Sequence, residues 1–329
     1  MNKKKAPHSG RVWVGFDLGG TKMLAKIFND DYETLGRAKQ KTLGAKGAKT
    51  GLSRMASLIG KALDAAGVSP DQIAGIGVGC PGPIDAEKGE IVEAPNLGWS
   101  DVPVRAHLQE TFERPTVMCN DVDAGVFAEY TAGAARGARC AVGIFPGTGI
   151  GAGAVIHGRL LQGAHLSCME IGHIPLFPET SGKGEDSTSL ETECSRLKIA
   201  AEAARAAYRG QAPHLLKTCG TDISRITSGA LAKAIAAGDT AIEDIVRRAA
   251  TLLGCGVTTV VHLLAPDVIV LGGGLVEAMP GLYLETVKQS AMERILGPYK
   301  KSFQIVTAEL EEDAGVMGAA AWARKTIEG

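Results

Sequence analysis

Two glycine-rich turns hold the residues whose types and spacing best suit chemistry. The first, Asp17-Leu18-Gly19-Gly20-Thr21-Lys22, joins the apolar run 12–16 to residues 23–28, apolar but for Lys26. The second, Pro146-Gly147-Thr148-Gly149-Ile150-Gly151, joins residues 141–145 to residues 152–156. Bare backbone N–H groups and a hydroxyl are what a phosphate needs from a loop. Glycine lets the chain turn with positive φ and lets an anion approach the backbone. Asp17, at a strand end, can hold Mg²⁺ directly or through water, and Lys22 adds a point charge. Either turn alone fits an ordinary hairpin. Two of them, with a third loop Gly272-Gly273-Gly274, point to a duplicated fold closing on a polyphosphate from both sides. A dinucleotide fingerprint fits poorly, because strands rather than helices follow both turns.

Two further polar groups stand out. Asn120-Asp121 sits where a strand gives way to a helix, and a carboxylate at a helix N-terminus stays ionised. Capping is the commonest role of Asp at such a place, and on position alone it is the stronger reading. Glu170-Ile171-Gly172-His173 sets a carboxylate and an imidazole three residues apart, able to converge on one small ligand. A buried histidine satisfied by its neighbours is the plainer alternative.

The elements around these residues follow from apolar periodicity. Met55, Leu58, Ile59, Ala62 and Leu63 fall at helical spacing, with Gly67 as the cap. Residues 73–78 form a buried strand that ends in the rigid run Gly79-Cys80-Pro81-Gly82-Pro83. Val104, Leu108 and Phe112 mark a helix, residues 116–119 a strand, and Ala124, Phe127, Ala128 and Tyr130 a longer helix. The second half repeats the order. A hairpin over 139–161 precedes a largely helical insert at about 188–250. A helix through Ile245, Ala249, Leu252, Leu253, Val257 and Val261 then leads to the strand 268–271. Residues 313–322 begin a C-terminal helix.

Composition narrows the classes. The chain has 329 residues, 45% hydrophobic and 5% aromatic, with 43 glycines; this suits a two-domain α/β protein with many tight turns. A net charge of −1 supplies no general field for nucleic acid or anionic membrane. The seven cysteines are odd in number and form no CxxC pair, as expected of reduced thiols in the cytoplasm. Lys3, Lys4 and Lys5 are followed by no apolar core, against a secretory signal. No apolar run reaches membrane-spanning length.

Taken in order, Asp17–Lys22, Cys80-Pro81-Gly82-Pro83, Ala94-Pro95-Asn96-Leu97-Gly98-Trp99, Asn120-Asp121, Gly147–Gly151, Glu170-Ile171-Gly172-His173 and Asp267–Gly274 resemble the ROK family across residues 11–325. That family comprises sugar kinases, mostly glucokinase-like, and sugar-responsive repressors. The resemblance implies a duplicated actin/hexokinase-like (ribonuclease H-like) α/β fold of two lobes with an interlobe cleft. The lobes are expected at 1–120, completed by the C-terminal helix 313–329, and at 121–312.

By position, the resemblance makes Asp121 the catalytic base. Asn96, Asn120, Asp121, Glu170, His173 and Glu191 become sugar ligands. Gly19, Gly20, Thr21 and Lys22 match one phosphate loop and Gly147, Thr148 and Gly149 the other, while Gly272, Gly273 and Gly274 lie on the adenosine side. Asp17 would anchor Mg²⁺ with ATP. The implied activity is phosphoryl transfer from ATP to a hexose, glucose foremost, making glucose 6-phosphate. Another hexose, an N-acetylhexosamine, or polyphosphate as donor remain open, as does a sugar-binding regulator without catalysis. Family repressors carry an N-terminal helix-turn-helix, whereas about ten residues precede the first strand here, so no DNA binding is expected. The family points to a homodimer.

The chain departs from the family at one place. Where ROK proteins carry Cys-x-Cys-Gly-x-x-Gly-Cys-x-Glu, whose thiolates bind structural zinc with the histidine, this chain has Gly182, Gly184 and Ser189. Glu191 is retained. Cys194 and His173 alone do not make a tetrahedral site, so no zinc is expected, and another group must orient His173. Asp123 also stands where many members have Asn; polyphosphate-using members often have Asp there.

Overall fold

The computed structural model describes residues 9–164, 168–177, 188–310 and 313–329. The chain opens with β1 (Val12–Leu18), β2 (Lys22–Phe28) and β3 (Thr34–Lys41). Helix α1 (Ala48–Ala66) leads to β4 (Ile73–Cys80). A small sheet of β5 (Ile84–Asp85), β6 (Glu90–Ala94) and β7 (Trp99–Val102) then precedes α2 (Val104–Phe112), β8 (Thr116–Asn120) and α3 (Asp121–Ala132). The first large sheet has the order β3-β2-β1-β4-β8.

The second half starts with β9 (Cys140–Pro146), β10 (Ile150–Ile156) and β11 (Arg159–Leu160), then β12 (Pro175–Phe177) and β13 (Thr188–Ser189), which pair with each other. Helices α4 (Leu190–Cys194), α5 (Arg196–Tyr208), α6 (Pro213–Cys219), α7 (Ser228–Ala236) and α8 (Thr240–Leu264) follow. Next come β14 (Val268–Leu271), α9 (Gly274–Ala278), α10 (Pro280–Arg294), β15 (Gln304–Thr307) and α11 (Ala314–Glu328). The second large sheet has the order β11-β10-β9-β14-β15.

The duplication read from the two turns is explicit in this topology. In the first sheet β1 pairs antiparallel with β2 and parallel with β4, which pairs parallel with β8. In the second, β9 pairs antiparallel with β10 and parallel with β14, which pairs parallel with β15. Contacts divide the chain into two units. One comprises residues 1–136, 159–168 and 312–329; the other comprises 137–158 and 169–311.

Local causes are plain in the first unit. β1 is buried along almost its whole length, as a central strand covered on both faces must be. The apolar stripe of α1 is Met55, Leu58, Ile59, Ala62 and Leu63, and Gly67 ends it in the left-handed conformation at φ 68°. Helix α11 lies against β4 and α3 at backbone distance. A Cβ on Gly77 would overlap the Ala319 carbonyl, and one on Gly318 would overlap that of Ala124. At the helix start, Asp313 pairs with the buried Lys26 at 2.7 Å.

Several elements have no counterpart in the expectations above, among them β3, the small sheet of β5, β6 and β7, α10 and β15. In β3 the exposed Arg37, Lys39 and Lys41 alternate with more buried residues, which suits a charged sheet edge. Its polarity hid it from a search for apolar runs. No helix among the described residues is long and apolar enough to cross a membrane.

Candidate functional site

Three parallel strands of the first unit end side by side. Asp17 of β1 stands opposite Gly79 of β4, and Gly79 stands opposite Cys119 of β8. The carboxyl ends of parallel strands are where open α/β sheets bind ligands. Asp121 begins α3 one step past β8, and its Cα is 3.7 Å from where a Cβ on Gly79 would stand. The fully buried Cys80 thiol is held far above its usual pKa by burial first, then by the charges of Asp121 and Asp17. Both carboxylates therefore face the same sheet end.

The capping role falls on the neighbour of the residue first considered for it. Asn120 is the N-cap of α3, its Oδ1 accepting from Val122 N at 2.9 Å. Asp121 is the first helical residue, and its own Oδ1 accepts from the same N–H at 2.9 Å. Asn120 also donates from Nδ2 to the Gly82 carbonyl at 3.4 Å, which ties the Pro81-Gly82 run to this helix start. Asn96 is exposed, with its Cβ 3.5 Å from the Cβ position of Gly20. Asp17, Gly19, Gly20, Thr21, Lys22, Asn96, Asn120 and Asp121 thus all belong to the first unit.

The first glycine turn is fixed by a residue that sequence reasoning missed. Thr42, fully buried after β3, donates its hydroxyl to the Gly19 carbonyl at 2.6 Å, and its N–H reaches the Thr21 carbonyl at 2.9 Å. Gly19 N closes the turn on Lys22 O at 2.9 Å. These bonds leave Gly20 and Thr21 exposed at the tip.

The second unit gathers Gly147, Thr148, Gly149, Glu170, His173, Glu191 and Gly272–Gly274. Glu170 precedes and His173 ends one 3-10 turn, Ile171–His173, and both are exposed. Between them Gly172 packs so closely that a Cβ would stand 2.5 Å from the Ile150 carbonyl oxygen and 3.4 Å from Glu191 Cβ. Glu191 Oε2 in turn accepts from Ile150 N at 2.8 Å. The Glu170–His173 turn, Glu191 and the second glycine turn are therefore one packed group. The Gly272 loop adjoins it, with Gly272 N bonded to the Ile144 carbonyl at 3.1 Å.

Arg196 was also missed. It is the first residue of α5; its N–H donates to the Gly147 carbonyl at 2.8 Å and its Nη2 to Thr148 Oγ1 at 3.0 Å. It lies far from the turn in sequence, and nothing local announces the contact.

Among the described residues no three His, Cys, Asp or Glu side chains are grouped to hold a metal ion. Residues 182–187, most of the run that replaces the family's cysteines, lie outside the described residues. Cys194 is buried in α4, and burial is the main cause that pushes its thiol up to about 12.

The paired sheets, with glycine turns at corresponding strand ends, define the actin/hexokinase-like class of α/β proteins. A model of the ROK family matches residues 13–326, and the chain belongs to that family. The glucokinase of Halalkalibacterium halodurans is 30% identical over 315 residues, which is 94% of each chain. The ROK family glucokinase from Streptomyces griseus, solved in complex with glucose and AMPPNP, superposes with a TM-score of 0.81 at 25% identity, covering 95% of this chain and 99% of that one. The xylose repressor of Caldicellulosiruptor bescii is 24% identical over 318 residues, 94% of this chain and 77% of the repressor.

Proposed function

We propose that this chain is an ATP-dependent hexose kinase whose preferred acceptor is glucose. The observation that carries the proposal is the placement of Asp121 over Gly79, beside the strand end that bears Asp17. The glucokinase relatives lend it support.

In this reading Asp121 accepts the proton of the C6 hydroxyl while that oxygen attacks the γ-phosphorus of ATP. The new O–P bond forms, the bond to the β,γ-bridging oxygen breaks, and ADP leaves. A carboxylate is a weak base for an alcohol. That suffices, because the transition state of phosphoryl transfer is loose and the proton can leave late. Most of the acceleration comes from alignment and from neutralising charge.

Asn120 binds a sugar hydroxyl near the reacting end and Asn96 borders the sugar; Glu170, His173 and Glu191 hold the anomeric side. Thr21, Thr148 and the neighbouring backbone N–H groups bind phosphoryl oxygens, and Gly272–Gly274 border the adenosine. Asp17 is a hard oxygen donor at the strand end, which suits Mg²⁺ held directly or through water. The metal, when bound with ATP, neutralises phosphate charge.

The repressor relative favours a second reading, a sugar-binding regulator without catalysis. A coupled ADP-release assay with MgATP against a panel of hexoses decides between them. Turnover with glucose and little with N-acetylated sugars is expected. Sugar binding with no turnover, from either ATP or polyphosphate, would give the regulator reading the lead.

A further inference from the structure

We infer that Arg196 binds the phosphoryl groups of the donor at the second glycine turn, and so acts as a substrate-contacting residue of this chain. The inference rests on the proposed function in taking Gly147–Gly149 as a phosphate loop.

Three observations converge. The guanidinium is attached to the turn itself, through Nη2 to Thr148 Oγ1 at 3.0 Å, while the backbone N–H of the same residue holds the Gly147 carbonyl at 2.8 Å. A guanidinium has five N–H donors in a rigid fork. Its bond to Thr148 uses the hydroxyl as acceptor, which leaves the hydroxyl hydrogen to donate outward. An oxyanion on the turn would then meet the Thr148 hydroxyl and the remaining guanidinium N–H groups together.

The position is also electrostatically costly without an anion. Arg196 is the first residue of the thirteen-residue helix α5, whose first turn holds no acidic residue. A cation at a helix N-terminus faces the positive end of the helix dipole. Lys198, in the same turn, is compensated by Glu193 and Glu202. Among the described residues Arg196 has no carboxylate within ion-pair distance; its side-chain partner is the neutral Thr148. A phosphate at the turn would satisfy the dipole and the guanidinium at once, and Arg is the residue suited to bidentate contact with phosphate.

The test is calorimetric titration of the wild-type chain, Arg196→Ala, Arg196→Lys and Thr148→Ala with ATP, ADP, AMP and inorganic tripolyphosphate. Arg196→Ala should weaken ATP and tripolyphosphate by roughly ten- to a hundredfold, as for loss of a charged hydrogen bond, and AMP little. Arg196→Lys should recover part of the loss, and the salt dependence of ATP binding should flatten in Arg196→Ala. Equal weakening of all ligands, or a defect that Thr148→Ala reproduces and Arg196→Ala does not add to, would reduce Arg196 to a brace for the loop and overturn the inference. The two readings fail separately. Tripolyphosphate binding lost in Arg196→Ala, in a protein that phosphorylates no sugar, would keep this inference and reject the kinase. Sugar kinase activity unaltered in Arg196→Ala would do the reverse.

Discussion

Glu191 accepts a hydrogen bond of 2.8 Å from the backbone N–H of Ile150, so a carboxylate on the short helix α4 holds the far side of the second glycine turn. A Cβ on Gly149 would overlap that same carboxylate. Glycine is required there because the acid closes over the turn. One carboxylate oxygen is committed to this bond, and the proposed sugar contact falls to the other.

These two duties separate in mutants. Glu191→Gln keeps an acceptor for Ile150 N and should fold with near-normal stability while raising KM for the sugar. Glu191→Ala leaves that N–H without its partner and should cost about 1–3 kcal/mol as well. Urea denaturation and sugar kinetics on both variants check this. Equal stability of the two would mean that the turn does not depend on the bond.

Asp121→Asn keeps the shape of the first helical residue and removes the proposed base. The expected loss in kcat is about 10²–10⁴-fold, with KM for ATP little changed. Steady-state kinetics with glucose decide, and near-normal turnover would refute the assignment.

Gly318→Ala puts a methyl group into the Ala124 carbonyl. Both residues belong to backbones packed without slack, so overpacking should cost about 1–3 kcal/mol or more. Thermal unfolding should show a lower midpoint. Because Ala124 is on α3 three residues past Asp121, kcat should fall too, although Gly318 touches no ligand in the proposed mechanism.

Cys80 and Cys119 are fully buried thiols held protonated well above the usual range, by burial first in each case. A raised pKa leaves no thiolate at neutral pH, and the thiolate is the nucleophile. Iodoacetamide at pH 7.5 should therefore spare both in the folded protein, as read by peptide mass analysis, although they lie beneath Asp121. Rapid labelling of either would contradict this burial.

Emission analysis of the purified protein should find far less than one zinc per chain. Gly182, Gly184 and Ser189 offer no thiolate where the family's three cysteines stand. A stoichiometric zinc would overturn this and identify the group that orients His173.

The parts of this chain that repeat were legible in the sequence. Residues 12–28 and 141–156 share one pattern because each must make a buried hairpin with a tight, exposed tip, and the sheets carry that pattern into matching strand orders. The residues that support those tips were not legible. Thr42 clamps the first turn from the end of an edge strand, and Arg196 reaches the second from a helix far along the chain. Neither carries a local pattern; only the fold brings it to its partner. The capping ambiguity at Asn120-Asp121 is similar. Both types cap well, and the choice depends on where β8 stops, a boundary that periodicity fixes only to within a residue or two.

Helix α11 covers β4 and packs on α3 at distances that only Gly77 and Gly318 allow. It is made long after the strands it covers. While a ribosome is still translating the second unit, the first sheet has already emerged with that face covered by α3 but not yet by α11. The two units therefore cannot mature in the order in which they are synthesised, because the earlier waits for a helix encoded beyond the later. Until then, the part of the face that α11 will cover stays open to solvent.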